Sequence, residues 1–286
     1  MGIRVQIDNY CLTYRLDGDS SRPAILFLHG FMGDRFEFEV AIATLSKQFY
    51  CVAIDLLGHG QTQVNDHIPS QDTYYTIQSI ADSVIKILDF LHVNHCFLVG
   101  YSMGGRLALY LAIYYPQYFL KVVIESASAG LRTNKQRSDR LAKDQQLAAK
   151  LENLENAGFN GNFNSDFKLF LDSWYRQPIF GNLRSHPNFP QMLAQRLNNS
   201  PIKLAKSLRN LSTGLQPPLW KELPKNKIPL LLVVGELDRK FVNNNQQMEQ
   251  LSKSSKLEII SSCGHNVHFE NPDAFIKNLE AFFADD

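Results

Sequence analysis

Five compact apolar runs restrict the architectures open to this chain: Ala24–Leu28 (AILFL), Tyr50–Ile54 (YCVAI), Cys96–Val99 (CFLV), Val122–Ile124 and Ile228–Val234 (IPLLLVV). Runs this short and this uniformly apolar have the pattern of strands buried on both faces. Between them lie amphipathic segments at Glu37–Ser46, Ile77–Leu91 and Met103–Tyr115, the last stopped by Pro116. A strand at Leu257–Ile260 and a helix at Pro272–Phe283 extend the alternation, and Arg4–Ile7 with Cys11–Leu16 suggests an opening hairpin. The pattern predicts an α/β fold with a mostly parallel central sheet flanked by helices. At 286 residues and 44% hydrophobic, the chain can fill one sizeable core and still carry an insertion.

The alternation breaks between Leu131 and Pro224. No convincing strand occurs there; polar helical segments surround the soft stretch GFNGNFNSD, Gly158–Asp166. The expected division is a core of residues 1–130 and 225–286 with a helical lid at 131–224. The lid holds fourteen Lys or Arg and seven Asp or Glu, a balance of +7. The whole chain carries +1, so the remainder carries −6. A cationic cap over a near-neutral core suggests an anionic ligand. The low overall charge argues against nucleic acid as a partner.

The strand at Cys96–Val99 runs into GYSMG and a helix, the strand–turn–helix setting of a nucleophile elbow. Such a turn presents the Ser102 hydroxyl at the strand end and aims the Met103 amide at a developing oxyanion. A nucleophile needs a base, and the base needs an acid to orient it. His265, in SSCGHNVHFENP, follows the strand Leu257–Ile260, and Asp238, in VVGELDRKF, follows Ile228–Val234. The chain order Ser, Asp, His is that of α/β-hydrolases. His268 is the second-ranked histidine and Glu125 the reserve acid. The loop His29-Gly30-Phe31 after the first buried strand offers the Phe31 amide as the other oxyanion donor. Arg106, one turn past Ser102, could stack at the surface, pair with a carboxylate, or place a planar fork beside the site for a substrate carboxylate.

Taken together, these residues resemble the α/β-hydrolase superfamily. GYSMGGR, IESASAGLRTNKQRSDR, DSWYRQPIF, QRLNNS and GHNVHFENP are similar, within it, to the family of 2-succinyl-6-hydroxy-2,4-cyclohexadiene-1-carboxylate synthases. Ala129 departs from that family's usual proline. The resemblance implies a lyase of menaquinone or phylloquinone biosynthesis that eliminates pyruvate from 2-succinyl-5-enolpyruvyl-6-hydroxy-3-cyclohexene-1-carboxylate. By the family's pattern Ser102, activated by His265 and Asp238, is the base, and the amides of Phe31 and Met103 stabilise the charge. Substrate contacts would come from Tyr101, Arg106, Arg137, Arg140, Trp174, Tyr175, Phe180 and Arg196. No metal and no cofactor is implied.

Two other functions stay open on the residues alone. One is a serine hydrolase acting on a carboxylated ester or a carbon–carbon bond; the other is a non-catalytic ligand receptor on a hydrolase scaffold. The N-terminus lacks an apolar signal region and no apolar stretch approaches the length of a membrane span. The four cysteines are scattered without a CxxC pair. The expectation is a cytoplasmic monomer.

Overall fold

A computed structural model describes residues 2–65, 67, 71–157 and 163–284. Of the soft stretch Gly158–Asp166, residues 158–162 lie outside those described. The strands are β1 (Ile3–Ile7), β2 (Tyr10–Asp17), β3 (Ala24–Leu28), β4 (Tyr50–Ile54), β5 (Gln63–Val64), β6 (Cys96–Tyr101), β7 (Phe119–Glu125), β8 (Leu230–Gly235) and β9 (Ser255–Ile260). They form one sheet in the order β1-β2-β4-β3-β6-β7-β8-β9, with β5 paired to β2. β1, β2 and β5 pair antiparallel; every neighbour from β4 to β9 is parallel. The parallel sheet flanked by helices that the apolar runs predict is the one that forms. The tiny β5 carries no apolar run of its own and was not foreseeable from one.

The helices are α1 (Glu39–Leu45), α2 (Ile77–Phe90), α3 (Met103–Tyr114), α4 (Asn134–Ala157), α5 (Phe163–Trp174), α6 (Phe189–Arg196), α7 (Pro201–Asn210), α8 (Arg239–Leu251), α9 (Val267–Glu270) and α10 (Pro272–Ala284). Alternate residues of each central strand serve opposite faces of the sheet. Leu26, Leu28, Leu98, Val122, Leu230 and Leu232 pack with residues of α2 and α3. Ile25, Phe27, Phe97, Val99, Val123, Leu231 and Val233 pack with α1 and α10. This two-sided burial explains why the runs are unbroken by polar residues.

Between β7 and β8 the described residues hold α4–α7 and short 3₁₀ turns, and no strand. Their interior is a third apolar cluster built around Leu151, Phe167, Leu171, Phe180, Leu193 and Leu204, joined by Met32 from the core. Leu211, Leu219, Trp220 and Leu223, late in the same segment, instead pack into the sheet's own cluster. The Trp220 indole donates to Gly130 O at 2.8 Å and Leu219 N to Ala129 O at 2.7 Å, closing the base of the insertion. Parallel pairing puts the C-terminal ends of β3, β6, β7, β8 and β9 on one rim, beneath these helices.

Candidate active site

The backbone at Ser102 is bent to φ 50° and ψ −103°, in the left-handed half of the map that a side chain rarely occupies. Small neighbours make the bend feasible. A Cβ on Gly104 would collide with the Leu28 carbonyl, and one on Gly100 with the Gly104 backbone. The strand-to-helix turn therefore packs backbone against backbone, and Ser102 N–H is held by Glu125 O at 2.8 Å. The Met103 amide opens α3, where a first-turn N–H has no intrahelical acceptor.

Three separate strand ends converge here. Leu56 N–H donates to His29 Nε2 at 2.9 Å, which leaves His29 Nδ1–H to donate to Gly30 O at 2.7 Å. Burial keeps His29 neutral by lowering its pKa, so it serves as a fixed brace for the Gly30-Phe31 loop. His265 Nε2 accepts from Ser102 Oγ at 2.9 Å, and His265 Nδ1–H donates to Asp238 Oδ2 at 2.5 Å. The Asp238 side chain is fully buried and caps α8 by accepting from Phe241 N. Glu270 accepts from the amides of Gly264 and Asn266 and braces the loop carrying His265. Burial pushes the Glu270 carboxyl up to about 7.

The hydroxyl opens on a cavity of about 480 Å³. Phe31, Tyr101, Met103, Arg106, Arg140, Trp174, Tyr175, Phe180 and Arg196, all singled out from the sequence, line it. Tyr101 OH donates to Asn266 Oδ1 at 2.7 Å, and its ring stands edge-on to His265. Phe180 is perpendicular to the same imidazole. Phe31 packs on Trp174, 5.5 Å between centroids, linking core loop to insertion.

The cations differ sharply in what they face. Arg106 donates to Gln216 Oε1 at 2.9 Å and to Leu211 O at 3.4 Å; neither partner is charged. Burial, and then Arg140, lowers its pKa to about 10, so it remains a cation at neutral pH. Arg140 holds Asp144 through Nε. Arg196 also lines the cavity, where it pairs with Glu37 at 2.5 Å and donates Nε to Tyr175 OH at 3.1 Å. Arg137 is placed differently from the other expected substrate residues. It does not line the cavity; its guanidinium turns back to the Leu131 and Arg132 carbonyls and to Asn134. Those carbonyls lie just ahead of α4, so local hydrogen bonding claims a side chain that the motif alone could not orient.

The reserve residues form a set of their own. Glu125 accepts from His268 Nδ1 at 2.8 Å, and His268 Nε2 donates to Glu37 at 3.3 Å. Burial opposes charge on His268, but Glu125 and Glu37 more than offset it and hold its pKa at about 9. Burial opposes charge on Glu37 as well, yet Arg196 and His268 bring it down to about 2. His268 and Glu125 thus belong to a buried ion-pair network, not to the serine. Glu37, Gln216 and Lys240 are cavity or network residues that sequence reasoning missed. Only Lys240, two residues past Asp238, had a positional signal.

An elbow serine, a histidine and a buried aspartate on the rim of such a sheet define an α/β hydrolase, and the alpha/beta hydrolase fold family model matches residues 23–272. The chain belongs to that family and, within it, to the 2-succinyl-6-hydroxy-2,4-cyclohexadiene-1-carboxylate synthases. It is 32% identical to the synthase of that name from Serratia proteamaculans (strain 568), over 93% of this chain and 94% of the relative. The structure titled MenH from S. aureus superposes with a TM-score of 0.82 at 32% identity, covering 94% and 97% of the two chains. The Arabidopsis thaliana protein PHYLLO, chloroplastic, is also 32% identical, over 98% of this chain but 16% of that longer protein. Among the described residues no helix is long and apolar enough to cross a membrane.

Proposed function

We propose that this chain is a pyruvate-eliminating lyase. It converts 2-succinyl-5-enolpyruvyl-6-hydroxy-3-cyclohexene-1-carboxylate to 2-succinyl-6-hydroxy-2,4-cyclohexadiene-1-carboxylate in menaquinone or phylloquinone biosynthesis. Residues 131–224 act as a lid over the core formed by 1–130 and 225–286. The observation that carries the reading is one cavity holding the histidine-bonded Ser102 hydroxyl together with Arg106, whose hydrogen-bond partners are neutral.

Balancing atoms between substrate and product fixes the step. The 3-ene becomes a 2,4-diene and the group on C5 departs, so the proton leaves C2. New double bonds form at C2–C3 and C4–C5 as the C3–C4 π bond is lost and the C5–O bond breaks; the enolate of pyruvate leaves and takes up a proton at its CH2 carbon to become pyruvate. C2 is α to the succinyl carbonyl, which makes its proton acidic and puts the developing charge on that carbonyl oxygen. Ser102 takes the proton as it passes its own to His265, whose imidazolium Asp238 stabilises. The Phe31 and Met103 amides receive the oxyanion; losing one such donor costs roughly 3–4 kcal/mol in acyl-transfer enzymes. Arg106 and Arg140 hold carboxylates, and Tyr101, Trp174, Tyr175 and Phe180 wall the ring.

The test is an assay of pyruvate and diene formation from the enolpyruvyl precursor. The native protein is expected to release both, and Ser102→Ala is expected to lose turnover by several orders of magnitude while remaining folded. An untouched precursor beside rapid cleavage of simple esters, with a burst from an activated ester, would establish a serine hydrolase instead.

A further inference from the structure

We propose that Lys240 is a third carboxylate anchor of this cavity, set on the side of the triad. The inference deepens the proposed reaction and rests on it, because the enolpyruvyl precursor carries three carboxylates: on the ring, on the succinyl arm and on the leaving group. Of the four arginines expected to meet them, Arg137 does not line the cavity, while Arg140 and Arg196 line it but each pairs with a carboxylate, Asp144 and Glu37. Of those four, Arg106 alone lines the cavity outside any ion pair among the described residues.

Lys240 lies in the first turn of α8 and lines the same cavity. Its ammonium sits 5.3 Å from the Phe241 ring centroid, and that ring packs 4.8 Å from the His265 ring. The charge therefore stands near the histidine rather than at the far wall. Among the described residues no carboxylate lies within ion-pair distance of it. Partial enclosure, then Arg140, lowers its pKa, with Asp238 acting the other way; Asp238 is already committed to His265. Arg106, Arg132, Arg140 and Lys240 thus crowd like charge around one space, and among the described residues Asp144 is the only carboxylate lining it. An anionic ligand relieves that repulsion. A flexible ammonium, unlike a planar fork, can follow a carboxylate that moves as its C–O bond breaks.

The experiment compares native protein, Lys240→Met and Lys240→Arg in steady-state turnover of the precursor. Lys240→Met is expected to raise KM about 10- to 100-fold, the loss of one charge-assisted contact, with kcat little changed; Lys240→Arg should restore most of it. An unchanged KM overturns the proposal, as does a fall in kcat alone with a displaced pH profile, which would mean that Lys240 acts through Asp238. A calorimetric titration decides the matter without turnover. Benzene-1,3,5-tricarboxylate should bind Lys240→Met about tenfold more weakly than native protein, whereas benzene-1,3-dicarboxylate should bind the two alike. Equal or undetectable tricarboxylate binding by both proteins overturns the anchor. A native protein inert toward the precursor would refute the reaction and leave the titration to judge Lys240.

Discussion

Ser102 and Arg106 occupy one turn of chain and are held in opposite ways. The serine has a strained backbone and is bonded to the histidine; the arginine's hydrogen-bond partners are neutral. Arg106→Ala is expected to lower kcat/KM by about 10- to 100-fold. Its thermal midpoint should move by no more than about 4 °C, since only neutral partners are lost. Steady-state kinetics beside a thermal melt checks both. Arg137→Ala should leave kcat/KM within about twofold of native, the behaviour of a side chain outside the cavity. Ser102, Asp238 and His265 were readable because each follows an apolar strand, and strand ends of a parallel sheet share one rim. The partners of Arg137 and Arg196 were not readable, because a motif gives a side chain's neighbourhood in sequence, not the group that captures it. Glu37 sits between β3 and α1, where no periodicity marks it.

The link between elements is the line Arg196, Glu37, His268, Glu125, which ties α6 to the segment before α1, to α9 and to the end of β7. Removing one member strands an opposite charge in a dry place. Glu37→Ala is expected to cost about 3–5 kcal/mol of folding stability, measured by chemical denaturation. The pH dependence follows from the two shifts. Glu37, depressed to about 2 from 4.5, contributes stability above pH 4.5 that is lost as the pH falls toward 2. His268, raised to about 9 from 6.5, contributes fully below pH 6.5, and that contribution is lost as the pH rises through 9. The network is strongest between those limits, at pH 4.5–6.5. In Glu37→Gln the acid-side loss should shrink; an unaltered acid limb would show that Glu37 is not its source.

Over the whole molecule, charge is divided as the sequence already indicated, with +7 across residues 131–224 and −6 across the rest. The field of that cap should draw a polyanion, so KM is expected to rise as salt is raised from 0.01 to 0.15 M, where the screening length drops from about 30 to about 8 Å. A KM indifferent to salt would remove this contribution. The sheet was legible almost strand for strand, since burial on both faces leaves an unmistakable apolar run. The insertion was legible only as helical. Its hydrophobic residues divide between their own cluster and the sheet's, and the Leu211 and Leu219–Leu223 contacts are set by tertiary packing that local pattern does not encode. The decisive measurement is turnover of a precursor deuterated at C2. Proton abstraction by Ser102 requires a normal primary isotope effect on kcat/KM, with one pyruvate released per diene and the deuterium lost. Pyruvate released with the deuterium still on the ring would contradict the elimination at its central step.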